Sequence, residues 1–126
     1  MNVQSIFGGI FLACCLTMAC KNSSKSLEFE QLKGRWSVID AERSNKKTGT
    51  FTGGYFWFQD NNVKTNLFGQ EKNYALSLYQ DSFFIVNTPT IHFGVQFVND
   101  REMFLTTIIQ QIPFKFKLQK NAESEY

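Results

Sequence analysis

The sequence predicts an all-β domain, a small antiparallel up-and-down barrel of about eight strands preceded by a short N-terminal helical turn. Three observations lead there. Aromatic residues make up 16% of the chain, and Phe and β-branched residues dominate where helix-forming runs are few. From residue 35 onward apolar and polar residues alternate with a period of two. The alternating runs recur every 8–12 residues or so, and the short turns between them leave no room for crossover helices, which selects an antiparallel meander.

The elements follow in order. Residues 26–34, SLEFEQLKG, form the helical candidate: Ser26 can cap it, Phe29 and Leu32 share a face, and Gly34 can end it. RWSVIDA (35–41) is the first strand and ERSNKKTGT (42–50) the longest loop. FTGGYFWFQ (51–59) is the second strand, with Gly53-Gly54 marking a bulge or bend. VKTNL (63–67), NYALSLY (73–79) and FFIVN (83–87) follow, separated by Asp/Asn/Gly turns. Pro89 cannot donate to a ladder and ends that run. IHFGVQF (91–97) alternates most clearly: Ile91, Phe93, Val95 and Phe97 point one way, His92, Gly94 and Gln96 the other. EMFLTTI (102–108) and FKFKLQ (114–119) complete the set, and residues 120–126 are expected to fray. With one face of each strand apolar and the other mixed, the sheet suits a closed barrel. Eight strands enclose room for side chains or one small ligand.

The front of the chain has a different character. Residues 6–19, IFGGIFLACCLTMA, carry no charge and are too short for the roughly 20 residues of a spanning helix. They fit the apolar segment of a secretory signal. Leu16-Thr17-Met18-Ala19-Cys20 resembles the lipobox of bacterial lipoproteins, although Thr17 stands where Leu is commoner and Met1 to Ser5 contain no Lys or Arg. A plain signal peptide, or a short membrane anchor, is the alternative. The lipoprotein reading explains why Cys20 sits where apolar sequence gives way to polar. It implies removal of residues 1–19, Cys14 and Cys15 with them, and acylation of Cys20. Each buried methylene contributes about 0.8 kcal/mol, so two or three chains anchor firmly. Residues 20–26 would then be a lipidated tether, with Lys21 and Lys25 near the headgroups, and 27–119 the barrel. The expected location is the bacterial cell envelope, at the outer membrane or periplasmic face.

Leu32 to Val38, LKGRWSV, contains Gly34-Arg35-Trp36, which resembles the Gly-x-Trp motif opening the first strand of lipocalins. FWFQDNNV (56–63) resembles the next signature of small lipocalin-like bacterial lipoproteins. The resemblance implies that Trp36 packs across the closed end of the barrel and that an arginine near the last strand covers it. No arginine lies in that strand, and Lys115 and Lys117 lack the planar stacking head.

Composition bounds the function. Thirteen basic and eleven acidic residues give a net charge of +2, which is no footprint for nucleic acid. The cluster Lys115, Lys117 and Lys120 reads as a solvated strand face. His92 is the only histidine and lies opposite the apolar face of its strand. With Cys20 acylated, neither a thiol nucleophile nor a zinc site has its ligands, and Asp60, Asp81 and Asp100 read as turn formers. No enzyme, cofactor or metal is expected. Trp36, Phe56, Phe58, Phe93 and Phe97 are the candidate ligand-binding residues for a small apolar molecule. The same rings, with Phe114 and Phe116, could instead fill the barrel and leave its exterior to meet an envelope protein. The inward parity of the second strand, Phe56 and Phe58 or Tyr55 and Trp57, stays open.

Overall fold

Two-residue hairpins set the path of the chain. Ser44-Asn45, Asp60-Asn61 and Gln110-Gln111 all have positive φ at both positions, the backbone of the tight turns whose twist matches paired strands. Asp and Asn tolerate that region well; the glutamines do so only because the long strands on either side fix the turn. The computed structural model describes residues 26–123. The signal segment, Cys20 and nearly all of the tether therefore lie outside the described residues, as do 124–126.

Among the described residues a four-residue helix α1 (Phe29–Leu32) precedes nine strands: β1 (Gly34–Arg43), β2 (Lys46–Lys47), β3 (Tyr55–Gln59), β4 (Asn62–Thr65), β5 (Lys72–Tyr79), β6 (Ser82–Ile85), β7 (Ile91–Asn99), β8 (Glu102–Ile109) and β9 (Ile112–Lys120). The long strands pair in chain order, all antiparallel, and β9 returns to pair with β1. Eight strands thus close into an up-and-down barrel, the all-β architecture expected, compatible with a lipocalin-like fold. The ninth, β2, is a two-residue addition to the far end of β1, inside the segment expected as loop.

Several boundaries differ for physical reasons. Glu28, not Ser26, precedes the helix, and its N–H donates to Gln31 Oε1 at 2.9 Å. The second long strand starts at Tyr55, because Phe51 to Gly53 form a turn with Gly53 at φ +83°. Gly54 is a close approach and not a bulge: a Cβ there would lie 2.8 Å from Leu67 Cδ1 and 3.0 Å from Phe51 O. The bulges lie elsewhere. One between Val38 and Asp40 keeps Val38 and Ala41 facing inward and ejects Ile39 to the surface. Another between Phe97 and Asn99 ejects Val98. Strand β9 runs through Lys120 and is followed by an ordered Asn121, whose Oδ1 accepts from Arg35 Nη1 and Ser37 Oγ, each at 2.9 Å.

In a meander, alternate turns fall at the same end. Helix α1 and the turns at 60–61, 80–81 and 100–101 share one end. The β1–β2 tip, the loops 48–54, 66–71 and 86–90, and the turn 110–111 share the other. The core runs between them, from Leu32 and Trp36 through Phe58, Phe83, Phe93 and Met103 to Leu105 and Phe116.

Candidate functional site

Closure of the sheet decides which rings point inward. Gly34 pairs with Phe58 and Trp36 with Phe56, so Phe56 and Phe58 face the interior with Trp36. Tyr55 and Trp57 face out, Tyr55 beneath the Arg35 guanidinium at 4.4 Å and Trp57 beneath Lys64 at 5.4 Å. Opposite them β7 presents Phe93, which meets Phe56 edge to face at 5.7 Å. Phe58 meets Phe83 in the same way at 5.4 Å, and Phe83 stacks on Phe93 at 5.0 Å. Trp36 contacts Phe97 at 6.4 Å. All five candidate residues therefore line one continuous aromatic interior, Phe97 at its half-buried margin.

Phe83 belongs to that interior and was not among the candidates. Two consecutive phenylalanines in FFIVN give no parity; pairing of Phe83 with both Leu78 and Phe93 turns it inward, while Phe84 packs outside against His92 at 4.9 Å.

The interior is filled. Trp36, Phe56, Phe58, Phe83 and Phe93 are each 0% exposed, as are Met103, Leu105, Phe116 and Leu118. Side chains without exposed area leave no ligand-sized void among them. The buried hydroxyls are satisfied: Thr65 donates to Tyr55 O and Thr107 to His92 O, each at 2.6 Å.

Each end is capped. At the α1 end the indole N–H of Trp36 donates to Leu32 O at 2.7 Å, fastening the helical turn across the barrel mouth. Gly34, buried at φ 121°, makes the bend between that turn and β1. The last strand supplies the cation over the tryptophan: Lys120, Cα partner of Trp36, places Nζ 5.6 Å from the ring. Lys115 and Lys117 instead lie outside, over Phe104 at 4.5 and 5.8 Å. The signal for Lys120 was its register to Trp36, which only closure reveals. At the other end Phe51 tucks in from the loop 48–54, edge-on to Phe114 at 5.6 Å and Phe116 at 5.0 Å, and Phe68 meets Tyr74 at 5.8 Å.

Open space lies at the ends of the barrel, beyond its filled centre. A cleft of about 710 Å3 at the α1 end has a mixed lining, with Lys33, Gln59, Asp100 and Arg101 beside Trp57 and the candidate residue Phe58. A cavity of about 190 Å3 lies between Leu27 and Phe97, and one of about 150 Å3 between β1 and Phe51. Among the described residues no three of His, Cys, Asp and Glu are grouped to hold a metal ion, and no helix is long and apolar enough to cross a membrane. His92 is exposed on the outer face. The Asp40 carboxylate is held below its usual range, chiefly by a hydrogen bond from Lys47, against a smaller opposing effect of desolvation. No protein-family model matches the chain, and no curated protein matches it.

Proposed function

We propose that this is a lipid-anchored lipoprotein of the bacterial envelope, acylated at Cys20, whose lipocalin-like barrel is a non-catalytic binding module that engages its partner with its outer surface. The filled interior carries this reading. A drug-sized ligand needs a pocket of about 300 Å3 or more, and the rings at Trp36, Phe56, Phe58 and Phe93 already occupy the centre without exposed area. Domains this small keep stability by filling such space. An anchored chain needs no great affinity of its own, since attachment raises the effective concentration of anything on the same surface.

A second reading, carriage of a small apolar molecule among those rings, is favoured by one observation. Phe51 is a loop residue only half-buried over Phe114 and Phe116, so its withdrawal would open the aromatic interior. Two experiments divide these readings. Mass spectrometry of protein taken from its native membrane should find residues 1–19 absent and Cys20 acylated; an intact N-terminus sinks the lipoprotein claim. Extraction of the purified barrel with organic solvent should yield no stoichiometric lipid, and fatty acids should leave Trp36 and Trp57 fluorescence unquenched. A co-purifying apolar compound would reverse the order of the two readings.

A further inference from the structure

The meander sorts charge along the barrel. The α1 end carries Glu28 and Glu30 beside the helical turn, Asp60, Asp81 and Asp100 in its three hairpin turns, and Glu102 at the start of β8, against the cations Lys33, Arg101 and Lys120. Turn chemistry explains each aspartate singly, yet the turns and loops at the far end are built mainly of Asn, Gln, Gly, Thr and Pro, with Glu71 their one carboxylate. The cations gather near that far end on β9, β1 and β2: Lys47, Lys115 and Lys117 on the outer face, and Arg43 and Lys46 on the opposite face at the barrel's rim, in register with Phe114. Arg43 is the Cα partner of Lys46, Glu42 of both Lys47 and Lys115, and Asp40 of Lys117. Five cations thus meet two carboxylates, and Lys47 is paired with Asp40. Phe104 supports Lys115 and Lys117 from beneath, holding both outward. A backbone hydrogen bond from Ser44 N to Pro113 O, 2.9 Å, ties this corner to the β8–β9 tip, where Ile108 is 70% exposed.

We infer that this corner docks on an anionic phospholipid surface. Three features select a bilayer over an acidic protein. Four of the five cations are lysines, point charges without the planar fork that fixes one carboxylate partner, and lysine is depleted in protein interfaces. The outside of a closed barrel is convex and fits a flat charged sheet better than a protruding partner. An aliphatic tip rimmed by cations is the composition that enters the headgroup boundary. The excess of carboxylates at the opposite end is repelled by the same surface, which favours one orientation. This goes beyond the anchor and does not use it. Among the described residues all strand pairings and the helical turn α1 lie between Phe29 and Lys120, so a chain of residues 26–126 without acyl groups carries the barrel, and the result here is independent of lipidation at Cys20.

Flotation of that chain with phosphatidylcholine vesicles, with and without phosphatidylglycerol, tests the inference. Binding is expected only with phosphatidylglycerol, and it should fall as salt rises. Lys46→Ala and Lys115→Ala should each weaken binding about fivefold, the loss expected for one lysine near an anionic surface. Lys33→Ala at the acidic end should not weaken it. Ile108→Ser should weaken binding to vesicles and leave binding to polyglutamate unchanged. Thermal melts confirm that each variant is folded; should Lys115→Ala melt early, Lys46→Ala on the short outer strand carries the test. No binding to anionic vesicles at low salt overturns the inference. So does equal binding to neutral vesicles, loss on Lys33→Ala alone, or a preference for polyglutamate that ignores Ile108.

Discussion

At the α1 end the interior is sealed by the framework itself: Trp36 hangs from Leu32 O by its indole N–H, and Lys120 closes over its ring from the last strand. At the far end it is sealed by loop side chains, with Phe51 leaning on Phe114 and Phe116 and only half-buried. The first seal joins elements far apart in sequence through backbone register, so it cannot open without breaking β1–β9. The second rests on a loop with a short fastening: Tyr55 N donates to Asn66 Oδ1 at 3.1 Å and Asn66 Nδ2 to Gly53 O at 3.2 Å. Stability should therefore concentrate at one end and access at the other.

Trp36→Ala is the strongest way to break that contrast. It empties the centre of the framework seal and should cost about 3–5 kcal/mol in urea unfolding; equal stability of variant and parent would show that the α1 end is not the stable one. Phe51→Ala should cost about 2 kcal/mol, since a half-buried ring loses only part of its transfer energy. It should also raise binding of an apolar fluorescent probe, which Trp36→Ala in its folded fraction should do less. Lys120→Ala removes a cation from over the indole and should cost about 0.5–1 kcal/mol, with Lys120→Arg restoring it. A loss as large as that of Trp36→Ala would mean that Lys120 holds the strand pairing and not the ring.

The smallest effect should come from the exposed pair of Asp40 and Lys47 on the outer wall, where solvent screens the charges. Asp40→Asn should leave the melt at neutral pH unchanged within error. Asp40 has a folded pKa below its ordinary 3.8, so what it contributes is present above 3.8 and lost as pH falls through the lower folded value. Lys47 has a folded pKa above 10.5; its share is present below 10.5 and lost as pH rises through the higher value. Parent and Asp40→Asn stability curves that diverge near pH 7 would point to another titrating group.

The strand at Ile91 to Phe97 was legible throughout, because alternation without interruption specifies both an element and its two faces. Trp36 was legible as a buried ring from Gly34-Arg35-Trp36, and α1 as the turn beside it. In YFWFQ and FFIVN eight ring-bearing or aliphatic residues, six of them aromatic, stand side by side, so local pattern left Phe56 against Trp57, and Phe83 against Phe84, undecided. The bulge at Ile39 was hidden because an extra residue in one strand has meaning only against its partner, β9.

By itself, then, the sequence determined the class of element and its spacing: strands with a period of two, short turns, one helical turn, and a tryptophan for the closed end. These depend on backbone preferences and on alternation within about ten residues, which any stretch carries alone. Only the tertiary structure decided that the interior is full, that Lys120 and not Lys115 or Lys117 covers Trp36, and that the three turn aspartates share one end. Each depends on register between strands distant in the chain. That register is fixed when β9 closes on β1, where a slip of β9 by one residue would turn its inward Phe114 and Phe116 to water.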